Sequence, residues 1–237
     1  MHITAKRPGN PSGCPVSTLR ILSFWACLFV AIFYSHAAYS ADEVHRYREV
    51  TGASVKNVTW QLHRRDRLVL FYSSPTEQHV TTTGASYNTT RWEAADSENK
   101  TDLVAARSGN TIIVYGRFRG ETVSKTLKID TCPWFQATSL SLRELVVSSD
   151  SQRKFWTIRL DTLTAHKLKA VKQEVETIAL DGIRKPLLRI RLRPTGLLAP
   201  FWKSDYWFTL PEGLFFRFEG PSGPPGSPIT VVTLADR

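Results

Sequence analysis

Short runs of β-branched and aromatic residues alternate with polar positions along most of the chain. Turn signals separate them at roughly 8–12-residue intervals, the rhythm of an antiparallel sandwich or barrel. Val58–Leu62 and Leu68–Tyr72 flank the polar break Arg64-Arg65-Asp66. His79–Thr83 and Thr89–Glu93 flank Gly84-Ala85. Leu103–Arg107 and Thr111–Phe118 flank Ser108-Gly109-Asn110, a hairpin loop, and Thr122–Ile129 follows Gly120. The rhythm breaks at Pro133-Trp134-Phe135. Ser141-Leu-Arg-Glu144 then reads as a capping box before Leu145-Val146-Val147, so one short helix is expected within Phe135–Val147.

Strands resume at Phe155–Leu160. The next stretch, Leu168–Leu180, carries two patterns. Leu168, Val171, Val175 and Ile178 fit a helical stripe, whereas Val175, Thr177 and Ala179 alternate before the turn Asp181-Gly182. The following segment, Leu188–Arg193, alternates strictly between aliphatic residues and Arg189, Arg191 and Arg193. A strand that regular needs a partner, so strand is expected for Glu174–Leu180. Tyr206–Leu210 and Leu214–Glu219 flank Pro211-Glu212-Gly213, with glycine placed for positive φ. Pro221–Pro228 reads as a loop and Ile229–Leu234 as a last strand. The fold expected is mainly β: an antiparallel curved sheet, half-barrel or barrel, with one short helix.

The first 40 residues follow a different pattern. Lys6, Arg7 and Arg20 precede an apolar run of 14 residues, Ile21–Tyr34, and small residues follow at Ala37, Ala38 and Ser40. This is the order of a secretory signal peptide, and the run is shorter than the roughly 20 residues of a membrane-spanning helix. Cleavage near Ser40 is expected, with an uncleaved signal anchor as the alternative. Residues 41–237 then form a single all-β domain, periplasmic or secreted and peripheral to a membrane at most.

Without those 40 residues the chain holds 28 Lys+Arg against 21 Asp+Glu, a formal +7. That balance suits solubility, or anionic surfaces such as lipid headgroups, lipopolysaccharide or anionic glycans. Export removes nucleic acid as a partner. Of three cysteines only Cys132 lies beyond residue 40, so no internal disulfide forms there. Cys132 is expected to be a buried, inert thiol. Three sequons, at Asn57, Asn88 and Asn99, read as coincidence in a bacterial chain.

Signatures of zinc peptidases, P-loops, dinucleotide-binding folds and serine hydrolases are absent. The histidines have no metal-ligand spacing, and no metal or cofactor is expected. Asp130, Asp161, Asp205 and Glu219 are carboxylates able to pair for glycosidase-type chemistry, but no linear spacing selects two of them. The densest aromatic stretch is Phe201–Phe208. Its alternation sets Trp202, Ser204, Tyr206 and Phe208 on one face and Phe201, Lys203, Asp205 and Trp207 on the other. With aromatics on both faces, one is expected to meet the core and the other a ligand, loop or partner. Trp202, Tyr206, Trp207, Phe208, Arg189, Arg191 and Arg193 are the candidate ligand-binding residues.

Three segments carry a resemblance to uncharacterised exported bacterial β-proteins: Ala179-Leu-Asp-Gly182, the alternating Leu188–Arg193, and Trp207-Phe-Thr-Leu-Pro-Glu-Gly213-Leu-Phe-Phe-Arg217-Phe-Glu219. Those proteins are similar in outline to the periplasmic lipoprotein-carrier and sorting half-barrels. The resemblance implies a sheet curved around an apolar cavity, sometimes used for acyl chains, and implies no catalytic residue. The reading is an exported, non-enzymatic β-domain binding a hydrophobic or amphipathic envelope molecule. The alternatives are an envelope-carbohydrate enzyme with paired carboxylates, or an assembly partner without a small ligand.

Overall fold

The computed structural model describes residues 42–180, 183–196, 202–223 and 226–235, with residues 179, 180 and 183 by backbone alone. The expected export signal and cleavage point, the expected Asp181-Gly182 turn, Phe201 and residues 224–225 of the proline-rich segment lie outside the described residues. No described helix is long and apolar enough to cross a membrane.

Two antiparallel meanders make up one sheet. The first comprises β1 (Glu43–Thr51), β2 (Ser54–Arg64), β3 (Leu68–Ser73), β4 (Glu77–Thr83), β5 (Thr89–Asp96), β6 (Thr101–Ser108), β7 (Thr111–Phe118) and β8 (Glu121–Lys128). The second comprises β9 (Gln152–Arg159), β10 (Thr164–Leu180), β11 (Ile183–Pro194), β12 (Ser204–Thr209), β13 (Phe215–Pro221) and β14 (Ile229–Leu234). The two join where β1 pairs with β14, from Thr51 opposite Thr230 to Tyr47 opposite Leu234. The order is therefore β8 through β1, then β14 back to β9, with β8 and β9 as unpaired edges.

Curvature brings those edges together without closing a ladder. Both faces of β9 contribute to a core: Phe155 packs with Leu168 in one, while Trp156 and Ile158 pack against Trp92, Leu103 and Val114 of β5–β7 in a second. The sheet thus overlaps itself. Residues between the meanders cover the β9 edge. Phe135 N–H donates to Trp156 O, and Trp156 N–H donates to Pro133 O, both at 2.8 Å. The Gln136 side chain continues the pairing: Nε2 donates to Ile158 O and Oε1 accepts from Ile158 N–H, each at 3.0 Å. Lys125 and Lys128 keep the exposed β8 strand charged, which discourages edge-to-edge association.

One glycine sets the bend. Gly116, in β7, has φ +133°, and a Cβ there would lie 2.2 Å from the Asp102 carbonyl oxygen on β6. Only glycine permits this approach.

The expected helix is present as two consecutive pieces, α1 (Thr138–Ser141) and α2 (Arg143–Val147). The capping box is not formed. Ser141 ends α1 instead of preceding a helix, and its hydroxyl donates to Tyr87 O at 2.9 Å, satisfying a carbonyl of the β4–β5 turn. The ambiguous stretch is strand throughout, with a bulge between Lys172 and Val175.

The helical segment plugs one end of the curled sheet. There Leu140, Leu142 and Leu145 join Trp60, Leu62 and Phe155 in the main core. Arg143 is 3% exposed, stacks 5.0 Å from the Trp60 ring and pairs bidentately with Glu43 at 2.9 and 2.8 Å. Burial pushes the Glu43 carboxyl up, but hydrogen bonds from His45, Arg143 and Arg64 outweigh it and hold the group well below the usual range.

Candidate binding site at the open mouth

The opposite end is open. Antiparallel alternation gathers the β5–β6, β7–β8, β9–β10 and β13–β14 turns there, with the end of β11 and the start of β12. Between them lies a cavity of about 490 Å³, within the roughly 300–1,000 Å³ of small-molecule sites. Phe118, Leu160, Leu168, Pro194, Trp202 and Pro221 supply its apolar wall. Asp96, Thr101, Arg119, Arg159, Asp161 and His166 supply polar groups.

The polar groups tie the turns to one another. Asp96 accepts from Asn99 N–H at 3.0 Å and from Asn99 Nδ2 at 2.6 Å, which shapes the β5–β6 turn. Arg119 N–H donates to Thr101 Oγ1 at 3.2 Å, and Arg119 Nη2 donates to Asp161 O at 3.1 Å. The second contact links the β7–β8 turn to the β9–β10 turn, across the gap between the sheet edges. The Arg119 guanidinium also rests 5.0 Å from the Phe118 ring. Arg159 Nε donates to Asp161 Oδ1 at 2.9 Å. That bond holds the Asp161 carboxyl below its ordinary value, and burial only partly opposes it. Burial, then the Arg159 charge, lowers the pKa of His166 and keeps its imidazole neutral at pH 7.

A smaller cavity of about 270 Å³ lies between β2–β5 and the start of α1, and Leu160 lines both. Its polar residues include Glu77 and His79. Trp92 Nε1 donates to His79 Nδ1 at 3.2 Å. Burial pushes the His79 pKa down to about 4 and raises that of Glu77.

The sequence candidates fall into three places. Trp202 lines the mouth cavity. Tyr206 and Phe208 face the core: Phe208 is fully buried, and the Tyr206 hydroxyl shares a 2.8 Å hydrogen bond with Thr138 Oγ1. Burial pushes the Tyr206 hydroxyl up to about 12. Trp207, Arg189, Arg191 and Arg193 lie on the outer face. Trp207 is covered there, with Arg217 5.5 Å from its ring and its Nε1 donating to Glu176 Oε2 at 2.8 Å. Arg189 pairs with Glu174 and Glu176 at 2.8 and 2.9 Å. Arg191 holds Asp205 bidentately at 2.8 and 3.1 Å.

Two acids named for glycosidase-type chemistry are also on the outer face. Asp205 stands opposite Glu219 in the ladder, but each is held by an arginine, Arg191 and Arg217 respectively. Cys132 is half-buried, a correction to the buried thiol expected from its type, because it sits in the surface segment leading to β9. Among the described residues no group of His, Cys, Asp and Glu has metal-site geometry. Phe118, Arg119, Leu160 and Leu168 were not singled out as site residues from sequence, because the first three sit at a strand end or an ordinary turn and Leu168 is an ordinary apolar position inside β10.

No protein-family model matches the chain, and no curated protein matches it in sequence. In structure it is similar to a β-barrel-like protein of domain of unknown function DUF1849 from Brucella abortus. The TM-score is 0.58 at 8% identity, covering 81% of this chain and 95% of that one. A weaker likeness, TM-score 0.41 at 9% identity, is to the hypothetical lipoprotein YmcC from Escherichia coli, over 84% of this chain and 89% of that one. The first likeness shows a shared fold: an antiparallel, barrel-like sheet built at nearly unrelated sequence.

Proposed function

We propose that the protein is an exported, non-enzymatic β-domain that holds a hydrophobic or amphipathic molecule of the cell envelope in its mouth cavity. One observation carries this reading: a single cavity places the indole of Trp202 and the apolar side chains Phe118, Leu160 and Leu168 beside the cations Arg119 and Arg159. An apolar chain gains from burial against the first group, at roughly 25 cal/mol per Å². An anionic head gains from Arg119, whose guanidinium meets, among the described residues, only a backbone carbonyl and a ring, whereas Arg159 is already held by Asp161. The secretory pattern of the first 40 residues supports the reading, since export would bring such a domain among envelope lipids.

Protein recovered after export is extracted with organic solvent and the extract analysed by mass spectrometry. Tryptophan fluorescence is then followed as a long-chain fatty acid is added. The reading expects a co-purifying lipid and saturable quenching, with the quenching lost in Trp202→Ala. No lipid in the extract together with no quenching would remove it.

A further inference from the structure

The outer face of the second meander carries two rows of charge that are treated differently. In one row Arg191 is matched by Asp205, and its neighbours Arg189 and Arg217 are matched by Glu176 and Glu219. One row nearer the open mouth, the matching stops. The ladder sets Lys154 opposite Lys169, and Lys169 opposite Arg193. One residue outside the last β11–β12 pair, Leu192 with Ser204, come Arg193 and Lys203. Phe155, Leu168, Ala170, Leu192 and Ser204 are all buried, so alternation turns the four basic side chains outwards.

Strands lie about 4.8 Å apart, so the four cations fall within about 15 Å. That is under two Debye lengths at physiological salt. Like charges directly opposite one another destabilise a sheet, and among the described residues no carboxylate pairs with any of the four. Lys167, on the same face, shows the contrast: it pairs with Asp130. The unmatched row therefore costs stability and calls for an external anion. Its position says which kind. Arg193 precedes Pro194 and Lys203 follows Trp202, and both of those neighbours line the mouth cavity.

We infer that this row docks the protein on a bilayer surface rich in anionic phospholipid, with the cavity mouth beside that surface. The docking rests on the row alone; its use in loading the cavity rests on the function proposed above. Each basic residue near an anionic surface is worth roughly five-fold in partitioning. Replacing all four (Lys154→Gln, Lys169→Gln, Arg193→Gln, Lys203→Gln) lowers binding on the order of several-hundred-fold.

The measurement is co-sedimentation of the exported protein, its N-terminus mapped by mass spectrometry, with vesicles of phosphatidylcholine alone or mixed with phosphatidylglycerol. Binding is expected only to the mixed vesicles, falling steeply with salt. It is expected to be lost in the fourfold variant, whose thermal midpoint stays level or rises as the like-charge repulsion is removed. Lys169→Gln alone lowers binding about five-fold, whereas Arg48→Gln, a cation of β1, changes it no more than about two-fold. Equal binding to both vesicles, or undiminished binding by the fourfold variant, overturns the docking. So does retention on a sulfated polysaccharide without vesicle binding. Fatty-acid quenching of the fourfold variant in solution is expected to be unchanged, so failure of the cavity reading shows there and not in sedimentation.

Discussion

The two ends of the curled sheet are built from the same kind of strand turn yet finished in opposite ways. At the plugged end, side chains from distant segments saturate one another: Arg143 lies on Trp60 and grips Glu43, and Ser141 caps a turn carbonyl. At the open end, polar side chains satisfy the backbone of neighbouring turns and leave an apolar wall facing a void. The plugged end is organised for stability. The open end leaves Trp202 and Phe118 only partly buried.

Substitutions should separate the two ends. The largest effect is expected at the plug. Arg143→Ala leaves Glu43 half-buried without its main partner and exposes the Trp60 face, so it should cost about 3–5 kcal/mol, read as a lower urea midpoint at unchanged slope. Next comes the smaller cavity. The His79 pKa falls from 6.5 to about 4 on folding. The unfolded chain therefore binds the proton more readily, and stability should fall as pH drops from about 6.5 towards 4, by up to roughly 3 kcal/mol. Glu77, its carboxyl raised by burial, acts in the opposite sense, losing stability as pH rises through its folded pKa. The difference between wild type and His79→Gln isolates the histidine; parallel pH–stability curves for the two would refute the assignment. The smallest stability change belongs to the mouth. Trp202→Ala should cost only about 1 kcal/mol, because the side chain is half-exposed, while removing most fatty-acid quenching. A large loss of stability there would mean that the indole is core and the two ends do not differ.

Much of the sheet was legible because turn chemistry is local. Gly109, Gly120 and Gly213 all adopt positive φ where the sequence implied a turn. Two strands were less clear, for different reasons. β1 reads as a polar stretch because its inward positions include Glu43 and Glu49, which are ion-paired with Arg143 and Lys56, and His45, which stands beside Glu43. β10 mimics a helical stripe because the bulge at Lys172/Val175 shifts the phase of its inner face. The mouth was legible only at Trp202 and at Asp161, the latter marked as an acid and not as part of a pocket. Its other walls come from turns and strand ends scattered along the chain, and only the curvature of the sheet makes them neighbours. The alternation of Arg189, Arg191 and Arg193 was visible, but not which of them meets an acid, since that depends on register with β10 and β12.

The seam between the meanders has a consequence for biogenesis. Both strands at the middle of the sheet, β1 and β14, come from opposite extremes of the folded body, and the Tyr47 hydroxyl reaches the Phe215 carbonyl 168 residues away. Neither meander can satisfy its central edge until the last strand has been synthesised. Contacts of such long range form slowly, so a chain shortened by its last strand is expected to leave the β1 edge open.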